Sequence, residues 1–311
     1  MLVAKKRRSA ECSLATDNMS IQQCTYSMLP SLQVKISLAL ECVQAPAGQY
    51  SYCYNLPVEA RNPKCQDGKF PVLVWLNGIT SFQAKPTLQK AQEDGVGRSF
   101  IKKDGIYERL SKEFLVIIPV SDDSASLHYH PELVNTVVDK VIGEHRDMVD
   151  EQAIFVAGQS AGCRGSVRYA IAQPQRLAAL SCSGGGAEKQ PPPEYVHSVE
   201  TEREYYGWRL KVDTSLEETY SHLGSIAHLP VWLIQGKNDD EALGYKEEPI
   251  NAPNATVVGL QAAKNTNVQL LEVDRTHVGL SDWWVSEGGQ ILDWFMEHRK
   301  GCASPMARRL G

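Results

Sequence analysis

A serine sits at the centre of Gly158-Gln159-Ser160-Ala161-Gly162. The pentapeptide follows an apolar run, Ala153-Ile154-Phe155-Val156-Ala157, and opens a stretch with helical patterning over residues 161–172. A serine on a sharp strand-to-helix turn has its hydroxyl lifted clear of the sheet. Small residues two positions before and after it let the backbones pass. The same turn aims a helix N-terminus, with its free N–H groups and partial positive charge, at negative charge developing beside the serine. This pattern is that of a nucleophile rather than a structural turn.

A serine hydroxyl is a poor nucleophile and needs a base. Behind a serine of this type the chain order is an acid and then a histidine. Five of the eight histidines follow Ser160: 197, 222, 228, 277 and 298. His277 stands in Asp274-Arg275-Thr276-His277-Val278-Gly279, a loop just after the last predicted strand, and is the expected base. His298 ends the final predicted helix, and the other three fall in or at the end of a long irregular segment. The acid is expected after the preceding strand, where Asp239 falls three residues beyond Gly236 in Gln235-Gly236-Lys237-Asn238-Asp239-Asp240. Only one of the two neighbouring aspartates can hold the imidazole in its acceptor tautomer. Asp239 is the expected one, and Asp240 then reads as a solvated carboxylate or a helix cap. His128-Tyr129-His130 offers two imidazoles without a third ligand, so no metal site is expected. Trp283-Trp284 reads as core packing rather than a pocket wall.

These residues require a scaffold of alternating strands and helices. Residues 34–40 and 49–56 alternate apolar and polar around a turn at Pro46 to Gly48, which predicts a hairpin. Residues 71–76, 114–119, 153–157, 177–180, 231–234 and 268–273 are apolar runs suited to strands buried on both faces. Helical patterns occupy 106–112, 131–145, 161–172, 254–263 and 286–298. Such alternation predicts an α/β fold: a mostly parallel central sheet, helices on both faces, and the antiparallel hairpin at its N-terminal edge. The stretch 184–229 is too long for a plain connection and is expected to be an insertion.

Composition sets the remaining bounds. The chain has 311 residues, of which 42% are hydrophobic and 22% charged, as in an ordinary soluble domain. Its net charge of −5, from 32 basic and 37 acidic residues, argues against nucleic acid as a partner. No apolar run approaches the ~20 residues of a membrane span. The eight cysteines show no metal-binding spacing, and most are expected to be free thiols of a reducing cell. Cys42, Cys53 and Cys65 are near enough in sequence to pair in an oxidising one. Lys5-Lys6-Arg7-Arg8 is followed by no apolar segment, so it is not a secretory signal. The expectation is a cytoplasmic protein, with nuclear or organellar targeting left open by the basic run, tails over 1–30 and 301–311, and a folded domain over 31–300 in which 186–229 forms an insertion or cap.

Together the motifs resemble the α/β-hydrolase superfamily, and within it the carboxylesterase, feruloyl esterase and polyhydroxybutyrate-depolymerase-like group. The resemblance runs from about residue 70 to about residue 298. It is carried by Leu73-Val74-Trp75-Leu76-Asn77-Gly78, Asp150, the Gly158–Gly162 elbow, Ser183-Gly184-Gly185-Gly186, Gln235-Gly236-Lys237-Asn238-Asp239 and Thr276-His277. It implies an α/β-hydrolase fold and a serine esterase acting on a small-molecule ester, with a peptidase or amidase using the same triad, or a non-catalytic binding protein of this fold, as the alternatives. The triad would be Ser160, His277 and Asp239, and no metal or organic cofactor is called for. Backbone N–H groups of Ala161 and Ile79 would form the oxyanion hole. Two departures stand out. Asn77-Gly78 replaces the usual His-Gly, and Ala161-Gly162-Cys163 replaces Met-Gly-Gly.

Overall fold

The computed structural model describes residues 40–57, 68–78, 88–121, 129–187, 221–239 and 252–299. Their strands are β1 (Glu41–Val43), β2 (Ser51–Tyr54), β3 (Phe70–Leu76), β4 (Leu115–Val120), β5 (Val149–Gln159), β6 (Ala179–Ser183), β7 (Val231–Asn238) and β8 (Val268–Thr276). They form one sheet in the order β1-β2-β4-β3-β5-β6-β7-β8. Pairing from β4 through β8 is parallel, and β1-β2 and β2-β4 are antiparallel. The apolar runs of β3 to β7 are continuous because both faces are covered, whereas the 268–273 run, expected to be buried on both faces, forms the edge strand β8, none of whose residues is fully buried. Val72, Val74, Leu76, Ile154, Val156 and Leu180 pack on one helical layer, which contains α4 (Pro131–Glu144), α5 (Ala161–Ala172) and α6 (Ala252–Ala262). Leu73, Trp75, Phe155 and Ala157, the alternate positions, pack on the other layer. That layer contains α1 (Leu88–Glu93), α2 (Gly95–Lys102), α3 (Tyr107–Glu113), α7 (Gly279–Glu287) and α8 (Gly289–Glu297).

The strand order carries a functional consequence. From β3 the chain moves to β4 on one side, then crosses back to β5 on the other. This reversal opens a crevice beyond the carboxyl ends of β3 and β5, where ligands of open α/β sheets bind. Asn77-Gly78 and Ser160 emerge there.

Several elements differ from the sequence reading. The hairpin is present, but its first strand is Glu41–Val43, and of the expected 34–40 run only Leu40 is described, outside the strand. Register pairs Cys42 with Cys53 across this hairpin, fixing the strand beyond the alternating run. The expected 286–298 helix corresponds to α8 and the last two residues of α7; the rest of α7 was not expected, and the two helices break at Gly288. The chain turns tightly enough there that a Cβ on Gly288 would lie 2.3 Å from the Trp284 carbonyl oxygen. Helices α1 and α2 were not expected. Gly95 and Gly97 weaken the helical signal, yet Asp94 caps α2 through a 2.8 Å bond from Gly95 N–H. Among the described residues no helix is long and apolar enough to cross a membrane.

The cysteines correct the free-thiol expectation. Cys42–Cys53 and Cys163–Cys182 are disulfides. The first joins register partners of β1 and β2. The second arises because Cys163, in the first turn of α5, lies directly over Cys182 of β6. Cys65 lies outside the described residues, as does most of the expected insertion. The end of that insertion is a 3-10 helix (Ser221–Ile226), whose Leu223 and Ile226 are buried in the α5 layer.

Candidate active site

Ser160 connects β5 to α5 with φ 57° and ψ −119°, a left-handed conformation that non-glycine residues rarely adopt. Its N–H donates to the Ser183 carbonyl of β6 at 2.8 Å. The glycines on either side are sterically required. A Cβ on Gly158 would lie 2.4 Å from the Gly162 carbonyl oxygen, and one on Gly162 would lie 1.8 Å from that of Leu76. Strain at a serine surrounded by such close backbones marks a site whose geometry the fold enforces. Ala161 opens α5, so its N–H is among those without an intrahelical acceptor.

β7 and β8 deliver the partners. Asp239 follows β7 and is 1% exposed. His277 follows β8 and is 8% exposed. Asp239 Oδ1 is 2.5 Å from His277 Nδ1, and His277 Nε2 is 2.7 Å from Ser160 Oγ. A carboxylate can only accept, so Nδ1 carries the ring proton and Nε2 is left to accept from the serine hydroxyl. Gly184 makes room for the ring. A Cβ there would lie 3.2 Å from His277 Cε1 and Nδ1, and its φ of +58° suits glycine. The structure thus brings the three expected side chains into one hydrogen-bonded line on loops 38 and 117 residues apart in sequence. Such a line can transfer the serine proton to the imidazole while the hydroxyl oxygen attacks an electrophilic carbon.

Two glutamines at the site carried no expectation of a role from sequence, and Asn77 was expected only as part of the Asn77-Gly78 departure from His-Gly. Gln235 lies inside β7 and is buried; its amide donates to Asp239 Oδ2 at 3.1 Å and to the Gly236 carbonyl at 2.9 Å. Gln159 donates to the His277 carbonyl at 3.1 Å and accepts from Ser281 Oγ at 3.3 Å. Their signal in the sequence is a glutamine inside an otherwise apolar buried run. Asn77 ends β3 in a fixed pose. Its Oδ1 accepts from Trp75 Nε1 at 2.6 Å, its Nδ2 donates to the Ala91 carbonyl at 3.3 Å, and its carbonyl accepts from Tyr129 Oη at 3.1 Å. Burial pushes the Tyr129 hydroxyl well above the ordinary phenol range, so it stays a neutral donor. Asn77 is therefore a strand-end lock. Ile79, the other expected oxyanion donor, lies outside the described residues, as do Asp240 and His128. His130 N–H donates to Tyr50 Oη at 2.9 Å. Trp283 and Trp284 are core residues; Trp284 packs edge-on against Trp75 and donates to Ser183 Oγ at 3.0 Å. Among the described residues no group of three or more His, Cys, Asp or Glu is arranged to hold a metal.

No protein-family model matches the chain, and no curated protein matches it by sequence. Solved structures do match by shape. A thermostable esterase superposes with a TM-score of 0.55 at 18% identity, over 83% of this chain and 62% of that one. The S-formylglutathione hydrolase of Staphylococcus aureus gives 0.54 at 17% identity, over 83% and 98%. An acetyl xylan esterase from Aspergillus awamori gives 0.51 at 15% identity, over 83% and 99%. This is the α/β-hydrolase fold. In an α/β-hydrolase the elbow serine sits at the top of the sheet, which is where Ser160 stands. The chain spans less than two thirds of the thermostable esterase and nearly all of the other two.

Proposed function

We propose that this α/β-hydrolase is a serine esterase that cleaves small-molecule carboxylic esters through an acyl-enzyme. The observation that carries the reading is the unbroken line from Asp239 Oδ1 through the His277 ring to Ser160 Oγ, at 2.5 and 2.7 Å. Ser160 Oγ attacks the ester carbonyl carbon as its proton passes to His277 Nε2. The carbonyl oxygen becomes an oxyanion, held by the N–H groups of Ala161 and Ile79. His277 then gives its proton to the leaving alcohol as the C–O bond breaks. A water enters, loses a proton to His277 and attacks the acyl carbon, and Ser160 leaves with that proton restored. The Asp239 carboxylate, hydrogen-bonded to Nδ1, stabilises the imidazolium between these transfers. Every proton is accounted for by these groups and water, so the sequence of steps calls for no metal or organic cofactor.

Fold likeness alone supplies no substrate, and the esterase names of two matched structures support the ester class only. The segment 186–229 is proposed to cap the crevice, since it leaves the sheet beyond β6, beside Ser160. An ester and amide panel tests the reading. Esters turned over with burst kinetics, and amides left intact, are expected. Cleavage of peptide or amide bonds at comparable rates would reassign the enzyme to amidases, and no turnover of either would reject it.

A further inference from the structure

Gln159 stands between the elbow glycine and the proposed nucleophile, as the last residue of β5, and it is 4% exposed. On its strand it follows Phe155 and Ala157 at alternate positions, so it faces the layer that holds α7. There it spans the gap between the end of β3 and the loop that carries His277. The space exists because residue 78 is glycine: a Cβ there would lie 2.4 Å from Gln159 Oε1. Both ends of the amide are then used on one loop. Nε2 donates to the His277 carbonyl at 3.1 Å, and Oε1 accepts from Ser281 Oγ, in the first turn of α7, at 3.3 Å.

The geometry points to Gln159 as a positioning residue for His277, an inference that rests on the proposed esterase reading. Asp239 and Ser160 hold the imidazole at its two nitrogens, which sets ring plane and tautomer. Neither fixes the backbone from which the ring projects. Gln159 does, and it is covalently joined to Ser160, so one amide ties the base's main chain to the nucleophile's own. It touches no reacting atom. The chemical type is specific. A carbonyl oxygen only accepts, so the group facing His277 must donate, while Ser281 supplies a hydroxyl to the other end. A neutral amide meets both demands. A glutamate has the same shape, but its carboxylate oxygen would face the His277 carbonyl without a proton, and it regains a donor only when protonated.

The test uses the full chain with Gln159→Glu, Gln159→Leu and Ser281→Ala, and an activated acetate ester from about pH 5 to about pH 9. Misplacement by about 1 Å at a remote contact costs up to about 100-fold in rate. Both Gln159 variants are therefore expected to lose about 10- to 100-fold in kcat near pH 8, with KM within about twofold of wild type. For Gln159→Glu the ratio of variant to wild-type kcat is expected to rise as pH falls, because the protonated acid again donates to the His277 carbonyl. For Gln159→Leu that ratio is expected to stay flat. A packing role alone would leave both ratios flat. Ser281→Ala removes only the far anchor and keeps the inference testable if a Gln159 variant does not fold; a loss of about threefold in kcat is expected. Wild-type kcat in the folded variants, a loss confined to KM, or a flat Gln159→Glu ratio overturns the inference. Fluorophosphonate labelling of the wild-type serine separates the two failures. Without it the esterase reading falls, and with it only the role of Gln159 is at stake.

Discussion

Replacing Asp239 with Asn is a sharper perturbation here than the loss of one charge, because of Gln235. Asp239 Oδ1 accepts from His277 Nδ1–H, and Oδ2 accepts from Gln235 Nε2. Gln235 Nε2 is held in place by a second bond, to the Gly236 carbonyl at 2.9 Å. Asparagine has one acceptor and one donor end. With the Gln235 donor fixed, the favourable orientation turns the new carbonyl toward Gln235 and the new NH₂ toward His277 Nδ1. That forces Nδ1 to accept and moves the ring proton to Nε2, where it faces Ser160 Oγ. The base is then blocked by its own proton. In serine proteases the same substitution costs about 10⁴ in kcat through the same wrong tautomer. A comparable loss here equals about 5.5 kcal/mol of transition-state stabilisation at about 1.4 kcal/mol per factor of ten. Adding Gln235→Leu removes the donor that fixes the orientation, so the asparagine can turn its carbonyl to His277. The double variant is expected to recover at least about tenfold over Asp239→Asn, a coupling that a double-mutant cycle measures. Steady-state kcat on one activated ester near neutral pH reads both effects, with circular dichroism as the fold control. An Asp239→Asn enzyme within about tenfold of wild type would refute the role of Asp239. A double variant no faster than the single one would refute the tautomer argument.

Other outcomes follow from contacts away from the reacting atoms. Arg299 donates from Nε to Asp150 Oδ2 at 2.6 Å and from Nη2 to the Lys69 carbonyl at 3.0 Å, with its side chain fully buried. Arg299→Met leaves a buried carboxylate without this partner and should lower unfolding free energy by about 3–5 kcal/mol in urea titration; a loss under about 1 kcal/mol would show the pair to be dispensable. The Cys163–Cys182 disulfide closes a loop with a sequence separation of 19, so replacing both cysteines with Ala should cost about 3 kcal/mol. Intact mass under non-reducing conditions should show both cystines; free thiols at all four positions would contradict the pairing. Replacing the proposed cap, residues 186–229, with a short linker should change the preference among acyl chain lengths; an unchanged profile in a folded variant would remove it from the site.

What was legible in the sequence was whatever depended on periodicity and on one tightly constrained motif. The inner parallel strands β3 to β7 announced themselves as apolar runs because both faces are covered. The elbow was readable because close backbone approaches dictate glycine at positions 158 and 162. The hydrogen-bonded placement of Asp239 and His277 beside Ser160 was reachable because both stand in loops that follow successive strands. Harder to read was anything set by a partner distant in sequence. Gln159 and Gln235 differ from strand-end polar residues only in what faces them across the crevice. The Cys163–Cys182 bridge depends on how α5 lies over β6. Helix α2 was hidden because glycines placed for close packing, such as Gly95 against Trp75, mask helical propensity. Helix α7 was missed as well, since the helical pattern read from Ser286 onward covers α8 and only the last two residues of α7.

The central claim is that Ser160 is the nucleophile, and covalent capture tests it most directly. Wild-type protein treated with a fluorophosphonate probe, digested and mapped by mass spectrometry, should carry the adduct on Ser160, and ester turnover should stop as labelling completes. Ser160→Ala, folded as judged by circular dichroism, should take up no probe and lose about 10⁴-fold or more in kcat. Labelling at another residue, or an alanine variant that retains ester hydrolysis near the wild-type rate, would contradict the account.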